Sequence, residues 1–209
     1  MIKNIIWDFD GVILDSMPIR DYGFRKIFES YDSALVEKLL EFHLQNAGLS
    51  RYVKIRYFFE KILKSTISKE DIEKIANDFS IIMKKELINK KYLIEDSVAF
   101  IEKNHQKYHF HIASGSDEIE LNYLCKELGI ESYFLSINGS PTHKNELVKN
   151  ILKEHSYLQN ETILIGDSQN DYDAAEINSI GFYGYNNSEL KSVSVVYLEN
   201  LIDESFIVT

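Results

Sequence analysis

The chain has little of several residue types on which whole protein classes depend. Only one of its 209 residues is cysteine (Cys125), which excludes an intramolecular disulfide and a cysteine-rich zinc site. Two prolines and nine glycines exclude a collagen-like chain or a linker protein. No apolar run reaches the roughly 18 residues of a membrane span, and the N-terminus lacks a signal-peptide pattern. We therefore expect a cytoplasmic protein with no membrane partner.

Basic residues are scarce as well. Lysine and arginine total 23 against 33 aspartates and glutamates, which gives a net charge of −10. Proteins that bind nucleic acid usually carry a basic face, so we expect no nucleic-acid partner. The 44% of hydrophobic residues is typical of a globular protein. Composition leaves the oligomeric state open.

Short apolar runs alternate with amphipathic stretches, which predicts an α/β fold. The predicted strands are residues 5–9, 110–113, 134–137, 162–165 and 193–198. Helical patterns lie between the later strands, at residues 118–128 and 145–155. This alternation is typical of a doubly wound (Rossmannoid) parallel sheet with helices on both faces.

Residues 17–90 interrupt that alternation with helical patterns alone. Ser16 and Ser50 are predicted N-caps, Pro18 suits a first helical turn, and Ser68 with Asp71 forms a predicted capping box. We expect about four helices there, forming a helical cap on a core made of residues 1–16 and 91–209. The segment has 14 basic and 11 acidic residues, whereas the remainder has 9 and 22. This charge fits either the lysine-rich surface that helices often have or a cap that offers positive charge to an anionic substrate.

Two pairs of acidic residues follow predicted strands. Asp8 and Asp10 end the first strand, and Asp167 and Asp171 follow the strand at 162–165. The carboxyl ends of parallel strands face one crevice, so we expect these four carboxylates to converge there, although the Asp8 and Asp10 pair alone also fits a solvated turn. At ~5 Å and an effective dielectric constant of ~20, each pair repels by about 3 kcal/mol. A divalent cation relieves such repulsion, and oxygen ligands favour Mg²⁺.

Two further strand ends carry groups that suit an anion. Ser114 and Gly115 stand between a strand and a helix, where a hydroxyl and free backbone amides bind anions. Lys144 stands just before the next helix and reaches a phosphate or a carboxylate. Each signal alone also fits a simple N-cap or a surface charge.

Taken together and in this order, these motifs resemble the haloacid dehalogenase (HAD) superfamily of phosphohydrolases. The matching positions are Asp8 with Asp10, then Ser114, then Lys144, then Asp167 with Asp171. The DFDGV and GDSQND segments are the most specific, and the helical insert lies where one cap type of this family is placed. The resemblance therefore implies a HAD-like core with an inserted cap and an enzyme that acts on phosphate esters.

The resemblance also implies a role for each matching residue. Asp8 is the nucleophile that forms an aspartyl-phosphate, and Asp10 is the general acid and base. Ser114, the Gly115 amide and Lys144 bind the phosphoryl group, with Lys144 also neutralising Asp8. Mg²⁺ is held by the Asp8 carboxylate, the Asp10 carbonyl and Asp167. Asp171 either binds the metal directly or contacts one of its ligands.

Several branches of the superfamily remain open. Asp10 argues against haloacid dehalogenase activity, and residues 166–181 look most like phosphoglycolate phosphatases. Residues 48–51 resemble the β-phosphoglucomutase segment whose arginine contacts the distal end of the substrate. Arg51 is therefore a candidate substrate contact, and Lys54 is a second one. That mutase branch has a histidine where this chain has Arg20, and the family's proline pair after the lysine is absent here. We expect a phosphatase for a small metabolite such as phosphoglycolate or a sugar phosphate, with a sugar phosphomutase as the alternative.

Two functions of another class also fit parts of the pattern. Receiver domains of signalling proteins place an aspartate, a hydroxyl and a lysine around Mg²⁺, but they are shorter and lack the insert. A binding protein without catalysis is disfavoured because no motif residue is missing. His109 and His111 alternate along a strand and are expected to be structural. His43 lies on a predicted cap helix and is also expected to be structural, with a role at the cleft between cap and core as the alternative.

Overall fold

The computed structural model describes residues 1–46 and 48–202, and it has one six-stranded parallel sheet. The strand order is β3-β2-β1-β4-β5-β6, so the chain winds outward from β1 in both directions. The strands are β1 (Asn4–Trp7), β2 (His109–Asp117), β3 (Ser136–Ser140), β4 (Thr162–Gly166), β5 (Gly181–Tyr185) and β6 (Val196–Leu198). This confirms the predicted doubly wound α/β fold.

In the described part of the chain, four helices cover the two faces of the sheet. They are α5 (Glu95–Asn104), α6 (Glu118–Leu128), α7 (Lys144–Glu154) and α8 (Gln169–Ile177). Phe100 of α5 and Leu121 of α6 share one hydrophobic cluster with Trp7, whereas α7 and α8 pack in a second cluster around Ile6. Trp7 and Ile6 are neighbours that point to opposite faces, so β1 anchors both layers.

The segment between β1 and α5 is helical, as expected. Its helices are α1 (Met17–Ile27), α2 (Ser33–Gln45), α3 (Arg51–Tyr57), which continues as a π-helical turn (Phe58–Ile62), and α4 (Lys69–Glu86). We call these elements the inserted helices. Buried Phe24, Phe28, Phe58 and Phe79 belong to the same cluster as Trp7. Within the described residues, no helix has the length and apolarity that crossing a bilayer requires.

The two connections to the inserted helices run side by side. The Asp15 N–H donates to the Tyr92 carbonyl at 2.7 Å, and the Ile94 N–H donates to the Ile13 carbonyl at 2.9 Å. Both links to the core therefore form one short paired segment. The division at residues 16 and 91 stays a prediction, and residues 203–209 of the predicted range 91–209 lie outside the described part.

The three predicted helix starts are correct in position, but only one of the predicted N-cap serines caps its helix with its side chain. The Ser68 hydroxyl accepts from the Asp71 N–H at 3.0 Å, as a capping residue does. Ser16 and Ser50 occupy N-cap positions, but neither side chain caps its helix. The Ser16 hydroxyl instead donates to Asp10 Oδ1 at 2.5 Å. Its sequence position was that of a cap, whereas its contact belongs to the site described below.

Strand boundaries differ most where the sequence carries glycine. β5 was missed because its sequence, GFYGY, has two glycines, which weaken a strand signal. Packing overrides that propensity, since β5 is buried between β4 and β6. The strand predicted at 134–137 begins two residues later, at Ser136, and the one predicted at 193–198 is only Val196–Leu198.

His111 is buried, as its place in the strand pattern indicated, and we expect it to make stability depend on pH. Its Nδ1 contacts Ser136 Oγ at 2.8 Å and its Nε2 contacts the Tyr157 hydroxyl at 3.0 Å. Burial lowers the pKa of His111 to about 3, and the nearby His155 adds to this. The unfolded chain, with a histidine pKa near 6.5, takes up this proton at a higher pH than the folded chain does.

The stabilisation from neutral His111 is therefore complete above pH 6.5 and is lost as the pH falls towards 3. Lowering the pH from 7 to 5 should cost about 2 kcal/mol of unfolding free energy through this residue alone. Urea unfolding at both pH values measures it, because His111→Gln should remove that part of the pH dependence while His105→Gln retains it. An unchanged dependence in His111→Gln would contradict the prediction.

Candidate active site

The end of β1 brings two carboxylates to the carboxyl edge of the sheet. Asp8 directly follows β1, and its N–H donates to the Ile165 carbonyl of β4 at 2.9 Å. The chain then turns at Gly11, which has a φ of +81°. A side chain at Gly11 would also collide with the Asp167 carboxylate, since a Cβ there would lie 1.9 Å from Oδ2. Glycine thus lets the first and last acidic motifs approach each other.

Lys144 lies between two of the predicted acidic residues. Its Nζ is 2.8 Å from Asp8 Oδ1 and also donates to Asp171 Oδ1. The other Asp171 oxygen accepts from the Ser168 hydroxyl at 2.6 Å and from the Ser168 N–H at 3.0 Å, which caps α8. Burial would lower the pKa of Lys144, but Asp171 and Asp8 outweigh it and raise that pKa. The lysine is therefore a fixed positive charge against Asp8.

Three carboxylates form a cluster with the geometry of a cation site. Oxygen atoms of Asp8, Asp167 and Asp171 all lie within 4.8 Å of one another. Burial and the charge of Asp171 raise the pKa of Asp8 to about 7. Burial and the charge of Asp8 raise the pKa of Asp167 well above its ordinary value. Such crowding of acidic oxygens fits a hard divalent cation, so this cluster is able to hold a metal.

The Asp10 carboxylate is held by three donors. Oδ1 accepts from Ser16 Oγ at 2.5 Å and from Arg20 Nε at 2.7 Å, and Oδ2 accepts from Ser116 Oγ at 2.5 Å. Burial alone would raise the pKa of Asp10, but the charge of Arg20 and these hydrogen bonds lower it. The sequence predicted Asp10 as a site residue; it did not predict Ser16 or Ser116 as its partners.

Ser114 and Gly115 lie beside Asp8, in the part of β2 where pairing with β3 becomes irregular. Ser114 is buried, and its Oγ accepts from the Ser116 N–H at 3.1 Å. Gly115 touches the loop before α3, since a Cβ on Gly115 would lie 2.3 Å from the Gly48 carbonyl oxygen. The inserted helices and this strand end are therefore in direct backbone contact.

The predicted substrate contacts Arg51 and Lys54 lie above Asp8. They line a small cavity of about 20 Å³ together with Asp8, Asp10, Ser114 and Gly115. Arg51 Nη1 donates to Ser80 Oγ at 2.5 Å, and its Nη2 is buried without a hydrogen-bond partner among the described residues. Lys54 Nζ contacts His43 Nδ1 at 2.7 Å, and His43 lines the same cavity. Burial and the charge of Arg20 lower the pKa of Lys54 to about 7.

A wider groove of about 460 Å³ leads from this region to the surface. It runs between residues 48–56 and the loop before α7, and Gly48 and Gly115 border both spaces. Lys144 also lines the groove. The groove therefore gives a small ligand a route to the lysine that faces Asp8.

Sequence reasoning noted Arg20 only as the counterpart of the mutase histidine and missed Glu120 altogether. Arg20 reaches Asp10 from α1, and its Nη2 donates to Ser116 Oγ at 2.7 Å. Glu120 on α6 is fully buried and accepts from Arg20 Nη1 at 3.3 Å and from Arg51 Nη1 at 2.6 Å. The sequence offered one signal for Glu120, a charged residue at the buried face of an amphipathic helix between Asp117 and Leu121.

The family model for haloacid dehalogenase-like hydrolases matches residues 5–184, a range that contains every strand-end residue described above. The chain belongs to the haloacid dehalogenase-like hydrolase family. This confirms the family to which the motifs pointed. A search of curated proteins gives no significant match.

Solved structures of haloacid dehalogenase-like proteins share the fold at low sequence identity. A β-phosphoglucomutase from Clostridium difficile superposes with a TM-score of 0.77 at 18% identity, covering 99% of this chain and 96% of that one. CbbY from Rhodobacter sphaeroides, solved with phosphate, gives 0.77 at 15% identity over 96% and 95% of the two chains. A predicted phosphoglycolate phosphatase from Haemophilus somnus gives 0.75 at 15% identity over 100% and 98%.

Proposed function

We propose that this protein is a Mg²⁺-dependent phosphatase that hydrolyses a small phosphorylated metabolite through an aspartyl-phosphate on Asp8. The proposal rests chiefly on one observation, the contact of Asp8 with Lys144 inside a cluster of three carboxylates, of which Asp8 and Asp171 are buried and Asp167 is half-buried. A carboxylate placed against a fixed cation and a metal site is equipped to approach a phosphate dianion, which a lone carboxylate would repel.

Asp8 carries out the nucleophilic attack, and Asp10 carries out the proton transfers. One Asp8 oxygen attacks phosphorus while the bond from phosphorus to the leaving oxygen breaks. Asp10 acts from its protonated form in the substrate complex: it gives the leaving oxygen its proton and then, as a carboxylate, takes a proton from the water that attacks the aspartyl-phosphate. Products are the dephosphorylated metabolite and inorganic phosphate, and both aspartates return to their initial state.

Other residues hold the phosphoryl group in place. Ser114 and the Gly115 amide, which lie beside Asp8, donate hydrogen bonds to the phosphoryl oxygens. Lys144 balances the charge that develops between Asp8 and the phosphoryl group. Mg²⁺ at the Asp8 and Asp167 carboxylates, the Asp10 carbonyl and Asp171 would neutralise phosphoryl charge. Because Asp171 already binds Lys144 and Ser168, one of its oxygens is committed to orienting α8.

The inserted helices would recognise the rest of the substrate. Arg51 Nη2 is a buried donor with no hydrogen-bond partner in the described part of the chain, and leaving such a donor unpaired costs about 1–3 kcal/mol. An acceptor group on the substrate would satisfy it, and Lys54 adds positive charge to the same cavity. These contacts favour a small substrate with an anionic or hydroxyl-bearing tail, such as phosphoglycolate or a sugar phosphate.

Arg20 favours hydrolysis over the phosphomutase alternative. Arginine stays protonated near neutral pH, so it does not titrate beside Asp10 as a histidine would. Its guanidinium is fully engaged with Asp10, Ser116 and Glu120. The histidine of the mutase branch is thus replaced by a fixed positive charge. This supports water, rather than a sugar hydroxyl, as the molecule that takes the phosphoryl group from Asp8.

A metabolite panel with Mg²⁺ tests the proposal, because a phosphatase releases inorganic phosphate from at least one small phosphate ester. β-Glucose 1-phosphate coupled to glucose-6-phosphate dehydrogenase tests the mutase alternative in parallel. We expect phosphate to accumulate without NADPH. Rapid NADPH formation without matching phosphate would instead identify a mutase, and no turnover of any ester would refute both.

A further inference from the structure

Glu120 is a buried carboxylate that the proposed reaction does not use. It lies in the first turn of α6, where its N–H donates to Asp117 Oδ1 at 3.1 Å, and its side chain is fully buried. A buried carboxylate without a partner would strongly destabilise the fold, so the burial of Glu120 requires groups that compensate its charge. Those groups are two arginines that both come from the inserted helices, Arg20 on α1 and Arg51 on α3.

One branch of this network leads to Asp10. Arg20 contacts Glu120 through Nη1, Asp10 through Nε and Ser116 through Nη2. Because a guanidinium is planar and rigid, fixing one edge with Glu120 fixes the direction of the other two contacts. Ser116 completes the ring by donating to the second Asp10 oxygen. Glu120 therefore orients the Asp10 carboxylate without touching it.

The other branch leads to α3. Arg51 Nη1 donates to Glu120 Oε2 at 2.6 Å, and the guanidinium lies over the Phe79 ring at 4.8 Å. Arg51 is itself only 4% exposed. This bond joins an inserted helix to a helix on the face of the sheet, so it exists only while α3 lies close to α6.

We propose that Glu120 is a positioning residue that couples the approach of the inserted helices to the orientation of Asp10. When α3 lies against α6, Arg51 and Arg20 share the Glu120 carboxylate, and Arg20 holds Asp10 beside Asp8. When α3 moves away, Glu120 loses Arg51 and its hold on Arg20 loosens. Asp10 is then correctly oriented only over a closed site. This coupling rests on the proposed function, since it assigns the proton of the leaving group to Asp10.

Two aryl phosphates of similar shape test the positioning role. p-Nitrophenolate leaves readily without a proton, whereas phenolate depends on one, and kcat/KM reports only the steps up to transfer of the phosphoryl group. Glu120→Gln should lower kcat/KM for phenyl phosphate at least about 100-fold and for p-nitrophenyl phosphate less than about 10-fold. Glu127→Gln, on the exposed side of the same helix, should change neither.

Glu120→Asp keeps the buried charge and guards against a variant that fails to fold. It should show the same selective loss for phenyl phosphate, because the shorter carboxylate does not reach both arginines. Equal losses for the two esters would make Glu120 a structural residue only, and no loss would refute the proposal.

A second measurement needs no enzymatic activity. Trypsin cleaves after Arg51 or Lys54 only when α3 separates from the core, whereas cleavage after Lys144, which is 6% exposed, reports unfolding of the core itself. Glu120→Gln should raise the ratio of the first cleavage rate to the second at least tenfold relative to Glu127→Gln. An unchanged ratio would refute the coupling. If the unmodified protein releases phosphate from neither aryl ester nor any ester of the metabolite panel, the proposed function is wrong, and the ratio still decides whether Glu120 holds α3.

Discussion

Asp8→Asn should reduce phosphate release by at least about 10⁴-fold, or about 5.5 kcal/mol of transition-state stabilisation. The substitution keeps the shape of the side chain and removes the attacking oxygen's charge. Lys144 still has Asp171 as a partner, so its own charge stays compensated. The loss should appear in kcat with the best substrate from the metabolite panel, measured as inorganic phosphate.

The fold should survive this substitution or even gain stability. Burial first, and then the charges of Asp171 and Asp10, raise the pKa of Asp8, and a neutral asparagine relieves both the desolvation and the repulsion. Thermal unfolding without metal should therefore give a Tm at least equal to that of the unmodified protein. Beryllofluoride, which mimics a phosphoryl group on a carboxylate, should bind the unmodified protein and not Asp8→Asn. Near-normal turnover by a correctly folded Asp8→Asn would refute the nucleophilic role.

Removal of divalent metal should abolish turnover, and Mg²⁺ should restore it. Without a cation, the carboxylates of Asp8, Asp167 and Asp171 face one another, and Lys144 contacts Asp8 and Asp171. Mg²⁺ that binds only the folded chain stabilises it by about 2.7 kcal/mol at 100 times its Kd. For a chain of this size that is a rise in Tm of roughly 5–10 °C.

Asp167→Asn separates the metal from the rest of the site. This variant should lose most of the Mg²⁺-dependent rise in Tm, while its Tm without metal should equal or exceed that of the unmodified protein. Because protons compete with Mg²⁺ for Asp8, whose pKa is about 7, the Mg²⁺ affinity should increase between pH 6 and pH 8. Full activity in a metal-free sample, or an unaltered Mg²⁺ response in Asp167→Asn, would contradict the metal site.

The sequence was most informative at the ends of the strands. Asp8, Lys144 and Asp167 are far apart in the chain, yet each follows or adjoins a strand of one parallel sheet. Since such strands all end at one edge, their order along the chain was enough to place these residues together. Backbone topology, which apolar periodicity indicates, thus determined this part of the site.

The partners of Asp10 were beyond the reach of the same reasoning. Arg20 and Glu120 lie on different helices, and their contact depends on how α1 and α6 are rotated and how closely they pack. A local pattern does not contain that information, because a charged residue on a helix is usually exposed. Ser16 shows the limit most clearly, since its position predicted a cap and its hydroxyl contacts Asp10 instead.

The close approach of Gly48 and Gly115 restricts which sequences this closed arrangement permits. A methyl group on Gly115 would meet the Gly48 carbonyl at 2.3 Å, and one on Gly48 would meet Ser168 Oγ at 2.7 Å. Neither overlap is relieved by rotating the added methyl group, because the Cβ position is set by the backbone. The two glycines come from separate segments but restrict the same approach. An alanine at either position would hold the loop at Gly48 farther from the core and so widen the gap above Asp8.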